Sequence, residues 1–199
     1  MIPHNTRSSL RSLQTAFTKR LSNRWQAGAT YTLSWFYNAE NQPFQGLQIV
    51  PFTVQPDLGN EWSLANDDQR HRLVVNGIWQ VGKGFQVSGL HYFGAGIRSA
   101  VSYGGDLRSL GAGGSARLRP DGTIVGRNDF TQPAQNKTDI RVQQRIPLGG
   151  RVAIDGIAEV FNVFNRPNYT LEILESSRSF GQRVTGTYRQ AQLGFRLTF

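Results

Sequence analysis

The chain has 199 residues, enough for one domain or part of a larger one, and no cysteine, which excludes disulfides, thiolate nucleophiles and cysteine metal sites. Only 38% of its residues are hydrophobic, the mean hydropathy is −0.40, and no run of about 18 apolar residues occurs, so no helix of this chain spans a membrane. The formal charge of +9 comes mainly from arginine, with lysine only at Lys19, Lys83 and Lys137; the arginines are scattered and form no block of about five like charges, which argues against nucleic acid as a partner.

Seven segments alternate apolar and polar residues with a period of two, the pattern of strands with one apolar and one polar face. The N-terminal Met1-Ile2-Pro3-His4-Asn5 carries no basic segment followed by an apolar one, so it does not read as a signal peptide. The first strand, 9–21, sets Leu13, Thr15, Phe17 and Leu21 against Ser12, Gln14, Ala16, Thr18 and Arg20. After a tight turn at Ser22-Asn23, the second, 24–36, opposes Trp25, Ala27, Ala29, Tyr31, Leu33 and Trp35 to Gln26, Gly28, Thr30, Thr32 and Ser34. An irregular stretch with Pro43, Pro51 and Pro56 leads to the third, 70–81, where Leu73, Val75 and Trp79 oppose Arg72, Asn76 and Gln80. Gly82-Lys83-Gly84 turns into the fourth, 85–93, whose alternation is blurred because Leu90 and Tyr92 share the parity of Gln86 and Ser88.

A glycine-rich stretch, 94–136, precedes the fifth strand, 137–146, with Ile140, Val142 and Ile146 against Asp139, Arg141, Gln143 and Arg145. Pro147-Leu148-Gly149-Gly150 turns into the sixth, 151–161, where Val152, Ile154, Gly156, Ala158 and Val160 oppose Ala153, Asp155, Ile157, Glu159 and Phe161. A third long stretch, 162–186, leads to the seventh, 187–199, with Ala191, Leu193, Phe195, Leu197 and Phe199 on one parity. Two acids on the polar parity of the sixth strand suit a water-filled lumen better than a dry core.

The connections alternate short, long, short, long, short, long. Outer-membrane barrels show this asymmetry, with short periplasmic turns and long extracellular loops, whereas a soluble meander has no reason to gather its long loops at one end. Trp25 and Trp35 stand ten residues apart, roughly 33 Å along a strand and roughly 25 Å across a bilayer at a tilt of about 40°. That is the height of the apolar band, so Trp25, Trp35, Trp79 and Phe85 are candidate girdle residues. The expected fold is all-β: an antiparallel up-and-down transmembrane β-barrel segment of about seven strands. An odd strand count beginning outside the cell is not a whole barrel, so residues 1–199 are expected to be the C-terminal part of a larger one.

Several segments resemble one family in that family's order. Ala158-Glu159-Val160-Phe161-Asn162-Val163-Phe164-Asn165-Arg166-Pro167-Asn168-Tyr169 is similar to the "EAFNLFNHPNF" segment near the end of TonB-dependent outer-membrane receptors of the Oar-like branch, which carry a carboxypeptidase-regulatory-like domain. Phe180–Thr185 resembles the "FGRITS" that follows, and Arg189–Phe199 the closing "RQIQFGLRLSF". Upstream, Leu13–Arg20 resembles "LQVSLTKRF" and Asp67–Gly77 resembles "FDRRHRFVLSG". The resemblance implies a wall segment of an active importer of a large substrate in the bacterial outer membrane. It implies lipid and the barrel-assembly machinery as partners, the latter reading Phe195, Leu197 and Phe199, and TonB acting through a plug and TonB box to which this sequence has no counterpart.

No catalytic constellation, metal site or cofactor motif stands out, and an enzyme is not expected. His4, His71 and His91 lack ligand-like spacing, and Ser88 and His91 fall on opposite parities of one strand. Asp67-Asp68 beside Arg70 reads as a cap for the following strand rather than a calcium site, and Asn136-Lys137-Thr138 as a chance match to a glycosylation sequon. On the polar parity of the last three strands, Arg141, Arg145, Asp155, Glu159 and Arg196 are expected to form a lumen charge ladder, with a cation beside each acid. The alternative is a soluble β-sandwich or adhesin-like module with a basic binding face.

Overall fold

The structure, a computed structural model, describes residues 8–39, 61–105, 107 and 117–199. Seven long strands run antiparallel in chain order. They are β1 (Ser8–Ser22), β2 (Trp25–Asn38), β4 (His71–Gly82), β5 (Phe85–Gly94), β8 (Gln135–Gly149), β9 (Val152–Phe161) and β12 (Gln190–Thr198). Among the short strands, β3 (Ser63–Leu64) pairs with the end of β2, β6 (Arg98–Ser99) with β7 (Phe130–Thr131), and β10 (Asn168–Leu171) with β11 (Arg183–Thr187). Each long strand bonds only to its sequence neighbours within the sheet, and β1 and β12 stand at its two edges without bonding to one another.

The short connections are two-residue turns whose backbone twist matches that of the strands. Asn23 and Arg24 adopt φ of 51° and 68°, the left-handed region that such a hairpin demands. At the second turn only glycine serves at position 84, because a Cβ there would stand 2.2 Å from the Arg145 carbonyl oxygen of the neighbouring strand.

Directly opposed residues share a face, so the register can be followed across the wall. One face carries Leu13 opposite Leu33, Tyr31 opposite Leu73, Trp25 opposite Trp79, Val87 opposite Val142, Ile140 opposite Val160, and Leu197 opposite Ile154. The other carries Gln14 opposite Thr32, Gly28 opposite Asn76, Ser88 opposite Arg141, and Gln192 opposite Glu159. Among the described residues nothing packs on the apolar face: Leu193 is 86% exposed, Phe195 83% and Trp79 56%. A soluble sandwich requires a second sheet about 10 Å away over that face, and the only other sheets among the described residues are two-stranded pairs in the long loops.

The buried apolar residues lie elsewhere. Ala39, Ala65, Val101, Leu118 and Val125 are all in the long connections, and Ala153 alone belongs to the wall. Burial therefore concentrates at the loop end of the molecule, while the wall presents its apolar face outward, as a membrane-embedded sheet must.

The long connections contain more structure than the sequence reading expects. The stretch expected as a loop over 162–186 folds into the β10–β11 hairpin, and Thr187 ends β11 instead of opening the last strand, which begins at Gln190. Strands of two to five residues are too short to display a period, which is why none of the five was legible.

Candidate functional site

The three long connections converge over one end of the wall. Arg127 organises them: its Nη1 donates to the Asn38 carbonyl at 2.6 Å, the Glu61 carbonyl at 2.9 Å and Ser63 Oγ at 3.1 Å, while Nη2 donates to Asn38 Oδ1 at 2.6 Å. Arg117 Nη1 meets Glu61 Oε2 at 2.6 Å, and Asn128 Nδ2 donates to the Leu64 carbonyl at 2.8 Å. Asn38, Glu61, Arg127 and Asn128 are buried and Arg117 is partly so; Arg127 satisfies carbonyls, and Arg117 the Val125 carbonyl and the Glu61 carboxylate, that the irregular backbone would otherwise strand away from water. The third connection joins through Arg119, whose Nε lies 2.9 Å from Glu175, and through Gln132, which exchanges hydrogen bonds with the Leu171 backbone at 2.8 and 3.2 Å. Glu175 holds the Arg119 guanidinium above its ordinary pKa by hydrogen bonding and charge.

The segment 162–168 ties this cluster to the wall. Asn162 and Asn165 both take φ near 50°, a conformation asparagine tolerates better than most residues. Asn162 closes the turn after β9, its Oδ1 accepting from Arg166 N at 3.0 Å and its Nδ2 donating to the Arg166 carbonyl at 2.8 Å, while its own N–H donates to Asp139 Oδ1 on β8 at 2.8 Å. Asn165 Oδ1 accepts from Arg189 N at 3.0 Å, just before β12. Asn168 pairs with the Asn136 backbone at the start of β8. Three asparagines thus fasten the upper ends of β8, β9 and β12.

The candidate girdle residues divide between the two ends of the wall. Trp25 and Trp79 are register partners beside the short turns, with Phe85 just past the second turn. Trp35 stands at the loop end of β2 with the Arg70 guanidinium 4.7 Å over its ring. The outward face, the two-ended aromatic distribution and the one-sided loops together describe a membrane wall. A model of the outer membrane beta barrel domain family matches residues 1–124.

This chain belongs to the outer membrane β-barrel domain family.

No curated protein and no solved structure matches it. The family match covers β1 to β6, and β8, β9 and β12 continue the main sheet with the same face alternation. The barrel wall sits in the bacterial outer membrane, and its polar face is the lumen side.

On that lumen face Arg141 stands opposite Glu159 and forms an ion pair with it at 3.5 Å; Gln192 of β12 donates to Glu159 from the other side. Arg145 and Arg196 are both register partners of Asp155. Neither closes an ion pair with it: Asp155 is 2% exposed, and its Oδ1 has no hydrogen-bond partner. The expected cation beside each acid is therefore found at Glu159 and not at Asp155. Opposed Cα atoms bring long side chains within reach but do not dictate their rotamers. Gln26, Asn76, Ser88, Asp139, Arg141, Glu159 and Phe161 line a groove of about 320 Å³ on this face.

Ser88 and His91 lie on opposite faces of β5, since Ser88 pairs with Arg141 and His91 with Thr138. The described histidines serve local bonds: His71 Nδ1 lies 2.8 Å from Tyr31 Oη and His91 Nδ1 2.8 Å from Thr138 Oγ1, while His4 lies outside the described residues. Among the described residues no group of three His, Asp or Glu gathers as metal ligands. Asp68 accepts from Phe36 N at 2.7 Å and lies 3.6 Å from Arg70, so it fastens the start of β4 to the end of β2. Phe195, Leu197 and Phe199 stand at the free edge, with Phe195 and Leu197 on the lipid face.

One feature escaped the sequence reading. The long connections mix acids such as Glu61, Asp68, Asp121 and Glu175 with arginines such as Arg117, Arg119 and Arg127, whereas the segments around the three short turns carry the cations Lys19, Arg20, Arg24, Lys83 and Arg151 and no acid. The cations are scattered in sequence, and only the strand pairing gathers them at one end.

Proposed function

We propose that this chain is the C-terminal wall of a TonB-dependent receptor of the Oar-like branch, taking up a large substrate by active transport. The loop cluster built on Arg127, Arg117 and Glu61 carries the reading, because it supplies a preformed body at the outer mouth while leaving the lumen face polar. The likeness of 158–169, 180–185 and 189–199 to closing segments of those receptors supports the finer assignment. On this reading the plug and the TonB box lie elsewhere in the whole protein, the chain has no catalytic role, and Phe195, Leu197 and Phe199 are read by the barrel-assembly machinery.

The test is energy dependence. In cells carrying the whole protein, uptake of its substrate should stop when TonB is deleted or the proton gradient is collapsed. Uptake that persists after both treatments makes the barrel a passive channel and overturns the proposal.

A further inference from the structure

We infer that the short-turn end of β2, β4 and β5 is a binding site for one anionic phospholipid, with its phosphate on Arg24 and Lys83 and an acyl chain in the groove beside Trp25 and Trp79. An open apolar groove of about 610 Å³ lies there, lined by Trp25, Ala27, Trp79, Val87 and Ile140. Its face is the membrane face, so its occupant is a lipid, and the charge at its rim selects which kind. Arg24 extends across the first turn toward the second, its Nη1 within 3.7 Å of where a Cβ on Gly82 would stand, and Lys83 is the next residue. Neither side chain has a hydrogen-bond or ion-pair partner among the described residues. No acid occurs in the short-turn segments to neutralise them.

Lys19 completes the arrangement without competing for the phosphate. Its ammonium donates to Ser22 Oγ at 2.8 Å and to the Ser22 and Trp25 carbonyls at 3.0 Å, and it lies 3.9 Å over the Trp25 ring. It thereby fixes the tryptophan that forms one wall of the groove and adds positive potential beside it. Two free cations above a tryptophan-lined apolar groove match a lipid with a phosphodiester of net negative charge.

The experiment is native mass spectrometry of the whole detergent-purified barrel with dioleoylphosphatidylglycerol or dioleoylphosphatidylcholine. Phosphatidylglycerol should be retained as a discrete single adduct in preference to phosphatidylcholine. Each of Arg24→Gln and Lys83→Gln should lower its retention about five-fold. Gly89→Leu, whose Cβ stands at ordinary contact distance from the Asp139 carbonyl, fills the groove floor and should abolish the adduct. Equal retention of the two lipids, or retention unchanged in the variants, overturns the site. If a variant barrel does not fold, wild-type protein with dihexanoylphosphatidylglycerol decides: the short chain should be lost, and retention equal to the dioleoyl lipid overturns the acyl-chain groove.

Discussion

Asn168 and Asn136 exchange two hydrogen bonds: Asn168 Oδ1 accepts from Asn136 N at 2.6 Å, and Asn168 Nδ2 donates to the Asn136 carbonyl at 2.9 Å. The side-chain amide imitates a strand neighbour at the point where β8 has run past the end of β9. Asn168 is buried, so truncation strands a backbone donor and acceptor together. Asn168→Ala should cost about 1–3 kcal/mol, read as a lowered unfolding midpoint of the intact barrel in lipid. An unchanged midpoint removes the staple role.

Ala158 tests which face meets lipid. It lies between Val142 and Leu193 on the apolar face near the middle of β9. Ala158→Arg should destabilise the intact barrel by about 2–4 kcal/mol. Thr30→Arg on the opposite face of β2 should change stability little, because its side chain lies on the polar face, away from lipid. Equal effects at the two positions, measured by denaturant titration in lipid, would reverse the face assignment.

Two ion pairs of different burial make a second contrast. Arg141 and Glu159 are partly exposed, so a double-mutant cycle on them should give a coupling of about 0–1 kcal/mol. Glu61 and Arg127 are buried and Arg117 is partly so, and Glu61→Ala leaves the Arg117 charge without its carboxylate; such losses reach about 3–5 kcal/mol. That loss should appear as faster proteolysis within the long connections, with the wall's unfolding midpoint nearly unchanged, because the network lies outside the sheet.

The wall was legible in the sequence because its signal is a period of two repeated over 9 to 15 residues, and register follows once two-residue turns join the strands. The blurred parity of Leu90 and Tyr92 did not mislead, because Val87 and Phe93 still match Trp79 and Leu73 across the pair. The loop cluster was not legible. Its defining contacts join residues 56 to 89 positions apart, as Arg117 with Glu61 and Arg127 with Asn38, and nothing local in the chain announces them. The asparagines at 162, 165 and 168 were singled out by resemblance alone, and their work, two left-handed turns and a false strand partner, is visible only in three dimensions. Asp155 was placed on the correct parity for register with Arg145 and Arg196, but the ion pair expected there does not form.

The turn at 119–123 carries a pH signature. Asp121 Oδ1 accepts from Thr123 N at 2.9 Å and from Thr123 Oγ1 at 2.7 Å, and these bonds, the backbone one foremost, lower its pKa below the ordinary 3.8. A depressed carboxylate contributes stability that is complete above its unfolded pKa and is lost as pH falls through the folded one. Protection of the Thr123 amide against hydrogen exchange, corrected for intrinsic rate, should therefore hold near neutrality and decline only in acid below that ordinary value. A decline that begins near neutral pH would assign the turn's stability to another group.

Phe199 separates assembly from stability. It is 91% exposed and follows the last residue of β12, so it contributes no packing to the wall and no ladder bond of the strand. Deleting it from the whole protein should leave the unfolding midpoint of any barrel that forms almost unchanged. If Phe195, Leu197 and Phe199 are read together during insertion, the same deletion lowers the amount of barrel in the outer membrane. Gly194→Ala, on the opposite parity of the same strand with open space where its Cβ would stand, is the control: it leaves the three-residue pattern intact and should preserve the surface level. Quantitative immunoblotting of outer-membrane fractions, paired with denaturant titration in lipid, distinguishes the outcomes. A normal outer-membrane level after deletion removes the assembly role, and a lowered midpoint with a normal level would make Phe199 a structural residue through contacts with lipid.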